Sequence, residues 1–98
     1  MALSLYKRLS SGKQLLANID YDNPDVISIL EQVRVKTGLQ IDCYGDTVLY
    51  KSHLESLRHA SQNFLNKKNP SIVNLYNKLC EILESDIPNG VSFLLMGD

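Results

Sequence analysis

The residues of this chain best suited to chemistry are two carboxylates and a tyrosine grouped around a glycine, in the run Gly38-Leu-Gln-Ile-Asp-Cys-Tyr-Gly-Asp-Thr-Val-Leu-Tyr50. Asp42 and Asp46 could hold a hard cation, but a calcium loop needs more oxygen ligands at closer spacing. They could also pair as acid and base of a glycosidase, a function that only a defined separation in space would support. Against these stands a plain structural reading: Asp46 before Thr47 can bond a backbone amide in a turn, and Gly45 can supply a positive φ. A tyrosine between acids is also the residue mix of a protein-contacting surface, which favours partner contact slightly over turn formation.

Other candidates for catalysis are weaker. His53 and His59 could supply the acid and base of a ribonuclease-like reaction, chemistry for which imidazole is the usual side chain. Six residues apart on one helix, they point about 240° away from each other and cannot converge unaided. Ser10-Ser11-Gly12-Lys13 resembles the end of a phosphate loop, yet the upstream glycine is missing and a glutamine follows the lysine. A hairpin turn explains these residues better. Lys67-Lys68 falls far short of a nucleic-acid stripe and suits a helix C-terminus. Cys43 and Cys80 have no metal-ligand spacing and read as small apolar residues, with a disulfide between them disfavoured in a reducing compartment.

The chain has 98 residues, 44% of them hydrophobic and 21% charged, which is the composition of one globular domain spanning residues 1–98. No apolar run approaches the ~20 residues that span a bilayer, and the first nine residues lack the long apolar core of a secretory signal, so a cytoplasmic location is expected. The net charge of -1 conceals segregation along the chain. Lys7, Arg8 and Lys13 stand without an acid; Asp20, Asp22, Asp25, Glu31, Asp42 and Asp46 then dominate. A basic block with Lys51, Arg58, Lys67, Lys68 and Lys78 follows, and Glu81, Glu84, Asp86 and Asp98 close the sequence. If the two acidic blocks meet, one face is strongly negative. Such a face repels nucleic acid and attracts basic proteins.

The elements that must position these residues are marked by their ends. Asn23-Pro24-Asp25 and Gly38 bracket a first helix over about Pro24 to Lys36, with Val26, Ile27, Leu30 and Val33 as its apolar set. Ser52-His-Leu-Glu55 fits a capping box for a second helix reaching Lys67 and Lys68, with Leu54, Leu57, Ala60, Ser61, Phe64 and Leu65 as its stripe. Asn69-Pro70 starts a third, and the short connection implies an antiparallel helical hairpin. Strands are expected at Thr47–Tyr50 and, after a turn at Pro88-Asn89-Gly90, at Val91–Met96. Residues before and after Ser10-Ser11-Gly12 alternate as a hairpin, with a single helix over Leu3–Leu9 as the rival. The order β-β-α-β-α-α-β describes an α+β domain, a helical hairpin packed on a small sheet.

The run Gly38-Leu39-Gln40-Ile41-Asp42-Cys43-Tyr44-Gly45-Asp46-Thr47, followed by two helices and an apolar strand ending Gly97-Asp98, resembles small bacterial immunity proteins of contact-dependent and polymorphic toxin systems. Cys43 stands where that family's Ile-Asp-Pro-Tyr-Gly-Asp-Thr type of segment has proline, which would have fixed the loop. The resemblance implies a non-catalytic inhibitor with no cofactor, metal, nucleic acid or small-molecule substrate, which binds the C-terminal domain of a cognate toxin. Many such toxins are nucleases with basic clefts. The contact residues expected are Asp42, Tyr44 and Asp46 together with Asp20, Asp22 and Asp98, the C-terminal acids forming a second patch. The competing expectations are an adaptor or assembly subunit acting through a sheet edge or the helical hairpin, and a small hydrolase built on His53 or His59.

Overall fold

The computed structural model describes residues 2–42, 44–85, 87 and 90–97, so that Cys43, Asp86, Asp98 and most of the Pro88-Asn89-Gly90 turn lie outside the described residues. Among those described, the strands are β1 (Ala2–Leu9), β2 (Gly12–Asp20), β3 (Asp46–Leu49) and β4 (Phe93–Gly97). The helices are α1 (Pro24–Thr37), α2 (Lys51–Gln62) and α3 (Pro70–Glu84), with a short 3-10 turn at Leu65–Lys67 between the last two. This is the α+β domain and the β-β-α-β-α-α-β order that the sequence implies.

The four strands form one antiparallel sheet in the order β2-β1-β4-β3. The first two make the expected hairpin: Leu9 pairs with Gly12 across Ser10-Ser11, and Gly12 takes φ 144, open to glycine and costly to other residues. The rival N-terminal helix is not formed. A bulge between Leu5 and Tyr6 pairs Leu5 with Ala17 and Tyr6 with Leu15, leaving Leu16 as the additional residue of β2. β4 then pairs Leu95 with Leu5 on one side and with Thr47 on the other, so two strands far apart in sequence form the centre of the sheet.

Alternation along each strand sends one set of side chains inward. Leu3, Leu5, Ile19, Leu49, Phe93 and Leu95 are buried under the helices. They meet Val26, Ile29, Leu30 and Val33 of α1, Leu54, Leu57 and Ala60 of α2, and Ile72, Leu75 and Leu79 of α3 in one apolar core. Ile27, expected in the α1 stripe, is 43% exposed, and Ile29 takes its place. Buried Ser61 donates to the Leu57 carbonyl at 2.6 Å, which satisfies its hydroxyl within the core.

The helix ends explain where the chain turns. Asn23 and Asn69 each accept a hydrogen bond from the amide two residues on, at 3.0 and 3.1 Å, and each precedes a proline at the first helical position. Gly38 closes α1 with φ 76. The start of α2 departs from the expected Ser52–Glu55 capping box. Tyr50 precedes the helix and His53 Nδ1 accepts the Tyr50 amide at 2.9 Å, so the imidazole does the capping and Ser52 lies inside the first turn. α2 also ends at Gln62, earlier than Lys67–Lys68; Lys67 instead reaches Asp25 of α1 at 3.1 Å. Asn69 Nδ2 donates to the other Asp25 oxygen at 3.5 Å, which ties the start of α3 to the start of α1. No described helix is long and apolar enough to cross a membrane.

Candidate functional site

The strand register sorts charge along the sheet. β2 ends at Asp20, opposite the start of β1, while β3 begins at Asp46 opposite Met96 near the end of β4. Asp22 follows two residues after Asp20, and the loop carrying Asp42 and Tyr44 runs directly into Asp46. All five residues therefore stand at one end of the sheet. The edge strands that carry them are three strand spacings apart, about 14 Å. At the other end lie Arg8 and Lys13 on either side of the hairpin turn, and Lys51 just after β3.

Asp42, Tyr44 and Gly45 are each held by a hydrogen bond. One Asp42 oxygen accepts the Tyr44 amide at 2.9 Å, the Asp42 amide donates to Thr47 Oγ1 at 3.0 Å, and the Gly45 carbonyl accepts the Gly97 amide at 2.8 Å. These bonds fasten the loop to β3 and β4. They also correct two expectations. The turn bond belongs to Asp42 and not Asp46, and Gly45 does not have a positive φ. Glycine there leaves room for the Asp42 carboxylate, since a Cβ would lie 2.5 Å from Asp42 Oδ2 and displace it. With Asp42 engaged as a brace, Tyr44, at 75% exposed, and exposed Asp46 are the loop side chains that project. Asp20 is braced in a similar way, accepting the Asp22 amide at 3.1 Å.

Of the acids that follow Cys80, Glu81 and Glu84 are described, and neither is placed beside the Asp42 loop. Glu81 lines a cleft of about 240 Å³ with Lys7, Gln14, Lys78 and Phe93 and a second groove with Ala17 and Asn18, which places it beside the middle of β2. Glu84 is in the last turn of the same helix. The proposed second patch is thus divided: Glu81 and Glu84 belong elsewhere, while Asp86 and Asp98 lie outside the described residues.

The histidines stay apart in role as well as direction. His53 caps α2, and His59 lies by Lys36, Glu55 and Arg58 in a shallow polar groove. No group of three or more His, Cys, Asp or Glu side chains among the described residues could hold a metal ion. Cys80 carries a free thiol, and hydrogen bonding with it raises the Tyr76 hydroxyl above its usual range.

The sequence did not single out the uncovered face of the sheet. Leu15, Tyr6, Leu94 and Val48 are paired in turn across β2, β1, β4 and β3 and form one apolar row at right angles to the strands. Leu15 is 52% and Val48 38% exposed. Lys13 crosses this face, its ammonium 4.7 Å from the centre of the Tyr6 ring and 3.1 Å from Met96 Sδ. The signal was present in the alternation of β1, where Ser4, Tyr6 and Arg8 oppose Leu3 and Leu5. Comparison with protein-family models, curated proteins and solved structures found no match to this chain.

Proposed function

We propose that this chain is a non-catalytic, cytoplasmic inhibitor of the immunity-protein kind, which seats the Asp42–Asp46 loop in the basic cleft of a toxin domain of nuclease type. The observation that carries the reading is the gathering of Asp20, Asp22, Asp42, Tyr44 and Asp46 at one end of the sheet, with Tyr44 projecting from a loop anchored on both sides. A braced loop loses little freedom on binding, so its contacts convert efficiently into affinity. Tyr44 supplies the apolar anchor and Asp46 the charge that a basic cleft would otherwise spend on phosphate. Asp42 acts by positioning these two.

The test is to isolate the partner on the tagged protein, identify it, and measure its affinity by calorimetry for the wild type and for Tyr44→Ala and Asp46→Lys. Each substitution is expected to weaken binding at least tenfold, with Asp46→Lys also reducing the salt dependence. Unchanged affinity in both variants would remove this loop from the interface. The adaptor reading is favoured by one separate observation, the apolar row on the uncovered sheet face.

A further inference from the structure

We propose that the uncovered sheet face is a self-association surface, on which a second copy of this chain packs about a two-fold axis running along the Leu15–Tyr6–Leu94–Val48 row. The argument does not depend on the inhibitor reading.

An apolar row across the middle of an open sheet is what a second layer covers in a two-sheet sandwich. What selects another copy is the charge on either side of the row. By alternation, Asp20 and Asp46 stand on the open face at one end and Arg8 at the other; Lys13 starts beside Arg8 and lays its side chain back across the face, its ammonium over Tyr6 and against Met96. Two in-plane axes can stack this face on itself. An axis along the strands sets the acids of one copy on the acids of the other. An axis across the strands sets each acidic end over the partner's basic end, with apolar row on apolar row. The face is therefore self-complementary in one orientation, as an isologous interface must be.

Lys13 adds a second observation. Its ammonium lies over the Tyr6 ring and against the Met96 thioether, on a face that holds carboxylates at the far end of its own strand. The across-strand axis places β2 over the partner's β2 in the opposite direction, which sets Lys13 over the partner's Asn18 with the partner's Asp20 two residues beyond, on the same face. The side chain then exchanges a π face and a sulfur, which is a weak acceptor, for an anion.

Four strands at about 4.8 Å and five residues at about 3.4 Å give a face roughly 19 by 17 Å. That is well below the ~800 Å² per partner of a stable complex, so a weak dimer in the micromolar range or above is expected, and one weakened by salt.

Sedimentation equilibrium on the whole chain from about 1 µM to 1 mM tests this. A monomer–dimer equilibrium is expected, shifted at least tenfold toward monomer in Leu15→Glu/Val48→Glu, whose side chains are exposed enough for the fold to tolerate charge. Lys13→Glu and Asp20→Lys should each weaken the dimer, and the two together should restore it, with circular dichroism unchanged throughout. A chain that is monomeric at 1 mM overturns the proposal. So does a dimer indifferent to Leu15→Glu/Val48→Glu, which would use the β2 edge instead. A dimer that ignores the charge swap overturns the axis.

Discussion

The two faces of this sheet come from the same four strands, with the same hydrogen bonds, and differ in what lies above them. Phe93 and Leu94 are neighbours on β4. Phe93 is 1% exposed beneath the helices, whereas Leu94 sits half-buried in a row that solvent reaches. The buried face is filled by aliphatic and aromatic side chains whose purpose is exclusion of water. The open face mixes apolar residues with charges sorted toward its two ends, a pattern that packing alone does not require. Burial explains the first face, and the second is the one that the proposed self-association would cover.

The comparison is sharpest in stability. Phe93→Ala should cost about 3–5 kcal/mol, since it removes a ring from a close-packed site. Leu94→Ala should cost about 1 kcal/mol or less, because much of its surface is wet already. Urea unfolding of both variants reads the difference directly, and equal losses would mean that the open face is covered in solution.

A second variant asks whether the loop bordering the open face is fixed by its own contacts. Gly45→Ala forces a Cβ against Asp42 Oδ2 and should destabilise by about 1–3 kcal/mol. In an Asp42→Ala background most of that loss should vanish, and a double-mutant cycle by denaturant titration measures the coupling. Asn69→Ala tests the layer that makes the buried face buried. Losing the cap of α3 and its contact with Asp25 should cost about 1 kcal/mol, seen as a lower urea midpoint with an unchanged slope.

The smallest effect lies on the solvent side of α1. The Arg34 side chain, by hydrogen bonding to Glu31, holds that carboxyl below the usual carboxylate range. Its contribution is present above the ordinary value and is lost as pH falls through the lowered one. Glu31→Gln should therefore be slightly less stable than wild type at pH 7 and indistinguishable from it at pH 2, a difference that melting curves across that range resolve.

Much of the fold was legible because its signals are local. Asn-Pro at two helix starts, Gly38 at a helix end and alternation around Ser10-Ser11-Gly12 each act within a few residues, and the structure uses all of them. Errors arose where a distant partner decided the outcome. Ile29 replaced Ile27 in the core because the rotation of α1 is set by its packing against α2. His53 capped α2 because the chain enters from β3 at Tyr50, and Lys67 lies in a separate 3-10 turn, from which it meets Asp25. The candidate site was half legible. Asp42, Tyr44 and Asp46 drew notice by type, but only the register of four strands brings Asp20 and Asp22 to the same end. Nothing local revealed that Leu15, Tyr6, Leu94 and Val48 form a row, because that row takes one residue from each strand.

The pairing of Leu5 with Leu95 at the middle of the sheet has a kinetic consequence. The β1–β2 hairpin and the α2–α3 hairpin can form early from contacts close in sequence, but neither has a complete surface to dock on until β4 enters between β1 and β3. That insertion closes the longest loop the chain can make, so its entropy weighs on the folding barrier. Substitutions in β4 should then slow folding more than they speed unfolding, and a chain interrupted before Phe93 would expose apolar hairpins to the cell's proteases and chaperones.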